Sequence, residues 1–184
     1  SSTGGPQALM TLFESFRDRK LPCPVFITQH MPATFTSILA KRLGQHCGLP
    51  AHEAEDGMTI ENGHIYVARG GVHMGLKRGT GGTSLRLVDT PPENYCKPSA
   101  DVMLRDILSF YRHKVISVVL TGMGSDGLKG CRELGSAGAR IIAQDKESSV
   151  VWGMPRAVAL EGLCSDVRPL QEIAPLVLRQ MTGG

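Results

Sequence analysis

Val115 to Leu120 is a six-residue run, apolar but for Ser117 and rich in β-branched side chains, that passes without a break into Thr121-Gly122-Met123-Gly124-Ser125-Asp126-Gly127. A run of that kind suits a strand buried on both faces, the situation of parallel strands sandwiched between helices. Leu128 and Leu134 beyond the glycines predict a helix, so the segment reads as a strand, a tight loop and a helix. The same order recurs along the chain. Val25-Phe26-Ile27-Thr28 predicts a strand before a helix from Ala33 to Gln45, which carries Phe35, Ile38, Leu39 and Leu43 on one face. His64 to Ala68 and Arg140 to Ala143 predict further strands. Helices are predicted from Pro6 through Phe16, from Ser99 as cap through Phe110, from Met154 to Leu160 and from Leu170 to Met181. The exception is a hairpin, Val72 to Lys77 and Ser84 to Val88, across Gly79-Thr80-Gly81-Gly82-Thr83. Gly48 to Gly63 is polar and turn-rich. The expected fold is α/β: a doubly wound, mostly parallel sheet, an α/β/α sandwich, with an inserted antiparallel hairpin. At 184 residues, residues 1–184 are expected to form one domain.

Composition narrows the function classes. The 20 basic residues are dispersed and the formal net charge is only +3. A nucleic-acid footprint needs a basic stripe, so no nucleic-acid partner is expected. No apolar run approaches the roughly 20 residues that cross a bilayer, so no membrane insertion is expected, and no signal peptide is apparent. The five cysteines, Cys23, Cys47, Cys96, Cys131 and Cys164, are odd in number and widely spaced. Without a CxxC pair they form no zinc or redox motif, and they suit a reducing cytoplasm.

In doubly wound folds, sites gather at the carboxyl ends of strands. Three segments carry chemistry there. Ser2-Thr3-Gly4-Gly5 places a hydroxyl on a tight turn entering a helix, where glycines admit a substrate and the helix amino end favours developing negative charge. Its ordinary reading is a helix cap. His30 follows the strand Val25–Thr28 and is placed to act as a base, although a lone histidine is more often structural. Thr121–Gly127 sets Asp126 among glycines whose N–H groups can hold an oxyanion or phosphate; its ordinary reading is a glycine-rich turn with Asp126 as cap. Together they supply a nucleophile, a base and an orienting acid. A hydroxyl needs a base to take its proton, and the imidazole needs a carboxylate to hold its tautomer.

Ser2-Thr3-Gly4-Gly5, Ile27-Thr28-Gln29-His30-Met31-Pro32 and Leu120 to Gly127 resemble the signature segments of CheB-type protein-glutamate methylesterases. Glu53-Ala54-Glu55-Asp56-Gly57, Ile65-Tyr66-Val67-Ala68, His73-Met74 and Gly153-Met154-Pro155-Arg156 are similar too, in the family's order. The resemblance covers nearly the whole chain. It implies an α/β/α sandwich with Ser2 as nucleophile, His30 as base and Asp126 as orienting acid. Met123 falls where the family offers a backbone N–H to the oxyanion, and Thr3 and His73 are weaker candidates for lining the cleft. The implied reaction is hydrolysis of glutamate methyl esters on the cytoplasmic helices of methyl-accepting chemotaxis receptors. It releases methanol, needs no cofactor or metal, and extends to deamidation of receptor glutamines. The family carries an apolar strand before its nucleophile and a phosphorylatable receiver domain before that. Both are expected outside these residues, and the receiver domain is an expected partner. Two rivals are a phosphate- or nucleotide-binding module and a catalytically silent receptor-docking domain. The absence of a lysine in either glycine loop opposes a Walker-type site.

Overall fold

The structure, a computed structural model, describes residues 1–79 and 81–181. In chain order its elements are α1 (Gly5–Glu14), β1 (Val25–Ile27), α2 (Ala33–Cys47), β2 (Ala51–Glu53), β3 (Ile65–Val67), β4 (His73–Gly79), β5 (Gly82–Val88), α3 (Ala100–Tyr111), β6 (Ile116–Val119), α4 (Leu128–Ser136), β7 (Arg140–Gln144), α5 (Met154–Leu160), β8 (Asp166–Arg168) and α6 (Leu170–Met181). The strands form two parallel three-stranded sheets, ordered β1-β3-β2 and β6-β7-β8, and an antiparallel β4-β5 hairpin. The expected α/β architecture with one inserted hairpin is present. The expected hairpin loop includes Thr80, which lies outside the described residues.

Side chains of a strand alternate between faces, and here each face meets its own helices. Ile27, Ile65, Val67, Leu120 and Ile142 pack with α1, α2 and α6. Their strand neighbours Tyr66, Val119, Ile141 and Ala143 pack with α3, α4, α5 and the hairpin. The two apolar layers are what make both-faced burial of the parallel strands possible, and they explain why these runs lack polar alternation.

Two strands had no apolar signature. β2 lies within the polar stretch from Gly48 to Gly63, and β8 consists of Asp166, Val167 and Arg168. Each is the edge strand of its sheet, β2 paired with β3 and β8 with β7. An edge strand is half exposed, so backbone pairing rather than side-chain burial defines it.

The sheet edges β1 and β6 face each other across an apolar cavity of about 660 Å³, lined on its flanks by Leu12, Phe13, Met103 and Ile107. Ser1 and Ser2 span the carboxyl end of this gap. The Ser1 nitrogen donates to the Thr28 carbonyl at 3.0 Å. The His30 N–H donates to Ser1 O and the Ser2 N–H to Thr121 O, both at 3.0 Å. The three sequence segments singled out for chemistry therefore meet where the carboxyl ends of two sheet edges face each other.

Behind that junction α3 and α4 cross closely at Gly130. A Cβ built on Gly130 would stand 2.5 Å from Leu104 Cβ, a separation that backbone movement alone can relieve. Gly130→Ala should therefore destabilise the fold by about 1–3 kcal/mol through overpacking, despite the better helix propensity of alanine. Urea denaturation would measure it, and an unchanged or raised midpoint would contradict this packing.

Candidate active site

Asp126 is the anchor of the site. The residue is 3% exposed, yet its carboxyl is surrounded by donors. One oxygen, Oδ2, accepts from the Ala100 N–H at 2.6 Å and from His30 Nε2 at 2.7 Å. The other, Oδ1, accepts from Ser99 Oγ at 2.6 Å, Asn94 Nδ2 at 2.9 Å and the Asp101 N–H at 3.3 Å. Ala100 and Asp101 open α3, so the carboxylate also sits against the positive end of a helix. Burial alone would push this carboxyl up; the hydrogen bonds from His30, Ser99, Ala100 and Asn94 outweigh it and hold the group below the ordinary carboxylate range. An anionic Asp126 requires the proton on His30 Nε2 and leaves the lone pair on Nδ1.

That Nδ1 faces Cys96 Sγ at 3.5 Å. Among the described residues no hydrogen bond joins the Ser2 hydroxyl to His30. The structure instead places Ser2 by its backbone: its N–H on Thr121 O and its carbonyl on Gln29 Nε2 at 2.9 Å. Its side chain lies against Gly122, where an added Cβ would come within 2.8 Å of Ser2 Cβ. Only glycine fits at residue 122. Of the two contacts expected among Ser2, His30 and Asp126, the described residues show the one between His30 and Asp126.

Met123 projects into solvent, 65% exposed. Among the described residues its N–H has no acceptor. The Thr3 carbonyl accepts from Thr121 Oγ1 at 2.9 Å, and its side chain is exposed. His73 corrects the expectation that it lines the cleft. It is fully buried, its Nδ1 accepts from the Ser99 N–H at 3.0 Å and its Nε2 bonds to Pro91 O at 3.0 Å. With both ring nitrogens used, His73 braces Ser99, which in turn donates to Asp126.

Sequence reasoning missed several supports. Ser99 does stand at the start of α3, but no cap hydrogen bond is made; its hydroxyl is spent on Asp126. Asn94 Nδ2 bridges Asp126 and a second buried carboxyl, Asp101, at 2.9 and 2.7 Å. Burial pushes Asp101 up. Gln29, only 2% exposed, links Ser1 Oγ, Ser2 O and His30 O. Buried Gln144 accepts from the Thr121 N–H at 2.8 Å. The one signal available was a set of polar residues flanking apolar runs, which is too common to single these out.

Because folding lowers the Asp126 carboxyl below its unfolded value, its stabilisation is present at neutral pH and is lost as pH falls through the folded value. Asp126→Asn should be less stable than the parent at pH 7, and the difference should shrink below about pH 4. A series of urea midpoints from pH 7 to pH 3 tests this; a constant difference would mean that the carboxylate charge contributes nothing.

Comparison with known proteins fits this geometry. The family model described as CheB methylesterase matches residues 1–177. A protein-glutamate methylesterase/protein-glutamine glutaminase 1 of Paramagnetospirillum magneticum is 50% identical over 181 residues, 97% of this chain and 47% of that protein. A protein-glutamate methylesterase/protein-glutamine glutaminase of Azospirillum brasilense is 51% identical over 178 residues, 96% of this chain and 45% of that protein. The chain thus spans about half the length of these relatives. The crystal structure of the Thermotoga maritima CheB methylesterase catalytic domain superposes with a TM-score of 0.93 at 38% identity, covering 98% of this chain and 95% of that one. By sequence and by fold, the chain belongs to the CheB methylesterase family.

Proposed function

We propose that this chain is the catalytic domain of a serine hydrolase that demethylates glutamate methyl esters on chemotaxis receptors in the cytoplasm and deamidates receptor glutamines. The observation that carries the reading is the buried, fully hydrogen-bonded Asp126 carboxyl at 2.7 Å from His30 Nε2, beside a serine tied by its backbone to the ends of both parallel sheets. In this reading His30 Nδ1 takes the Ser2 proton as Ser2 Oγ attacks the ester carbonyl. The Met123 N–H receives the oxyanion, His30 returns the proton to departing methanol, and water activated by His30 frees the glutamate. Asp126 stays ionised and holds the ring. The route needs no metal or organic cofactor. A glutamine amide would follow it with ammonia as leaving group.

The surroundings favour a helix-borne substrate. Phe35, Ile38, Tyr95, Met123 and Val150 are large, exposed apolar side chains carried by segments adjoining the site residues. Such side chains suit docking of an amphipathic receptor helix. The reading also assigns the cavity between β1 and β6 to the apolar strand that the family carries before its nucleophile. It takes a receiver domain as the regulatory partner in the longer protein. No helix among the described residues is long and apolar enough to cross a membrane.

Methanol release from methylated receptor tests the proposal, using a chain extended through the preceding strand. Ser2→Ala should abolish turnover and His30→Ala should be nearly as severe. Asp126→Asn should lose about 10⁴-fold, because the acid orients rather than reacts. Near-normal turnover by a folded Ser2→Ala protein would overturn the covalent route. In this reading the receiver domain covers the cleft, so the receiver-linked protein should be slower than the isolated domain until a phosphodonor is added; equal rates would remove that regulatory role.

A further inference from the structure

We propose that His30 Nδ1 and Cys96 Sγ together bind a thiophilic divalent cation, zinc foremost, at the candidate active site. His30, Cys96 and Asp126 each bring a ligand atom within 4.8 Å of the others, but their roles differ. Both Asp126 oxygens already accept hydrogen bonds, so the carboxylate is outer support rather than a ligand. His30 Nδ1 lies 3.5 Å from Cys96 Sγ. Zinc bonds of about 2.0–2.1 Å to nitrogen and about 2.3 Å to sulfur, at a tetrahedral angle, set two such donors about 3.5 Å apart. The pair is therefore spaced for one zinc ion, with a small turn of the imidazole ring or the Cys96 side chain aiming both donors at the metal.

The support around the pair is also in place. A metal-bound histidine characteristically donates its other ring N–H to a carboxylate, which fixes the tautomer and raises ligand basicity. Asp126 does this at 2.7 Å. Cys96 stands on a turn closed by paired hydrogen bonds with Glu93, at 3.1 and 2.9 Å. Glu93 is held in turn by a two-pronged ion pair with Arg105, both contacts at 2.7 Å. His30 and Cys96 keep partial exposure, so water can complete the coordination. On binding, the Cys96 thiol, which now donates to Asn94 O at 3.3 Å, gives its proton to solvent and its sulfur bonds the metal. His30 contributes its Nδ1 lone pair and keeps Nε2–H on Asp126. That lone pair is the one the esterase reading uses as base, so on that reading, and only there, bound zinc inhibits.

The test separates binding from turnover. Cobalt(II) serves as the spectroscopic probe and zinc as the titrant in calorimetry, both on the intact chain. Expected are one cobalt per chain with a sulfur-to-cobalt charge-transfer band, displacement by zinc, and loss of the band in Cys96→Ser but not in Cys23→Ser or Cys164→Ser. Asp126→Asn should keep the band and weaken zinc affinity about 10–100-fold. In the unmodified protein, zinc should protect Cys96 from iodoacetamide, read by peptide mass spectrometry, so the proposal does not hang on a variant's folding. No sulfur-to-cobalt band, a band that survives in folded Cys96→Ser, or Cys96 alkylation unchanged by zinc would each overturn the site. Zinc binding with undiminished methanol release by an active enzyme would overturn the inhibition, and an inactive enzyme that still binds zinc at Cys96 would count against the esterase reading alone.

Discussion

A carboxylate withdrawn from water is costly unless its oxygens are fully satisfied. Asp126 meets that condition through donors from four directions: the amino end of α3, the Ser99 hydroxyl, the Asn94 amide and the His30 ring. The rest of the site follows from this anion. Its charge fixes which His30 nitrogen carries the proton, and therefore which lone pair is free. It also explains why His73 is buried rather than open to substrate, since His73 holds the Ser99 backbone in place for the bond to Asp126.

The fold makes such an arrangement possible by separating two jobs. The parallel strands, packed by helices on both faces, supply a rigid frame with apolar side chains and no chemistry. The loops at their carboxyl ends supply the chemistry with little packing. Buried glutamines join the two: Gln29 ties the Ser1–Ser2 segment to His30, and Gln144 ties Thr121 to the loop before α5. A buried amide with both ends satisfied is rigid, and rigidity at this junction is what holds a serine backbone between two sheet edges.

Legibility from the sequence tracked burial. The Val115–Leu120 run, the Val25–Thr28 run and the helices Met154–Leu160 and Leu170–Met181 declared themselves because strands and helices covered by a core must be apolar at fixed periods. β2 and β8 did not, because an edge strand is defined by backbone hydrogen bonds that leave no mark on side-chain pattern. Ser99 was correctly placed at the start of a helix but its hydroxyl serves a residue 27 positions away, which no local rule can anticipate. Cys96, which faces His30 across 66 positions, was legible only as a cysteine without a partner motif.

What the sequence by itself determined is the alternation of strand and helix, the inserted hairpin, and the strand-end motifs that hold Ser2, His30 and Asp126. Those features are local: periodicity, glycine in turns, and residue types adjacent to apolar runs. Only the tertiary structure decided which nitrogen of His30 meets Asp126, that Cys96 rather than Ser2 stands against the other, that His73 is a brace, and that Asn94 and the first turn of α3 stabilise the carboxylate. Each is a contact between segments far apart in the chain. Their approach is set by how helices pack on the two faces of the parallel strands, information that is distributed over the whole core rather than written in any one motif.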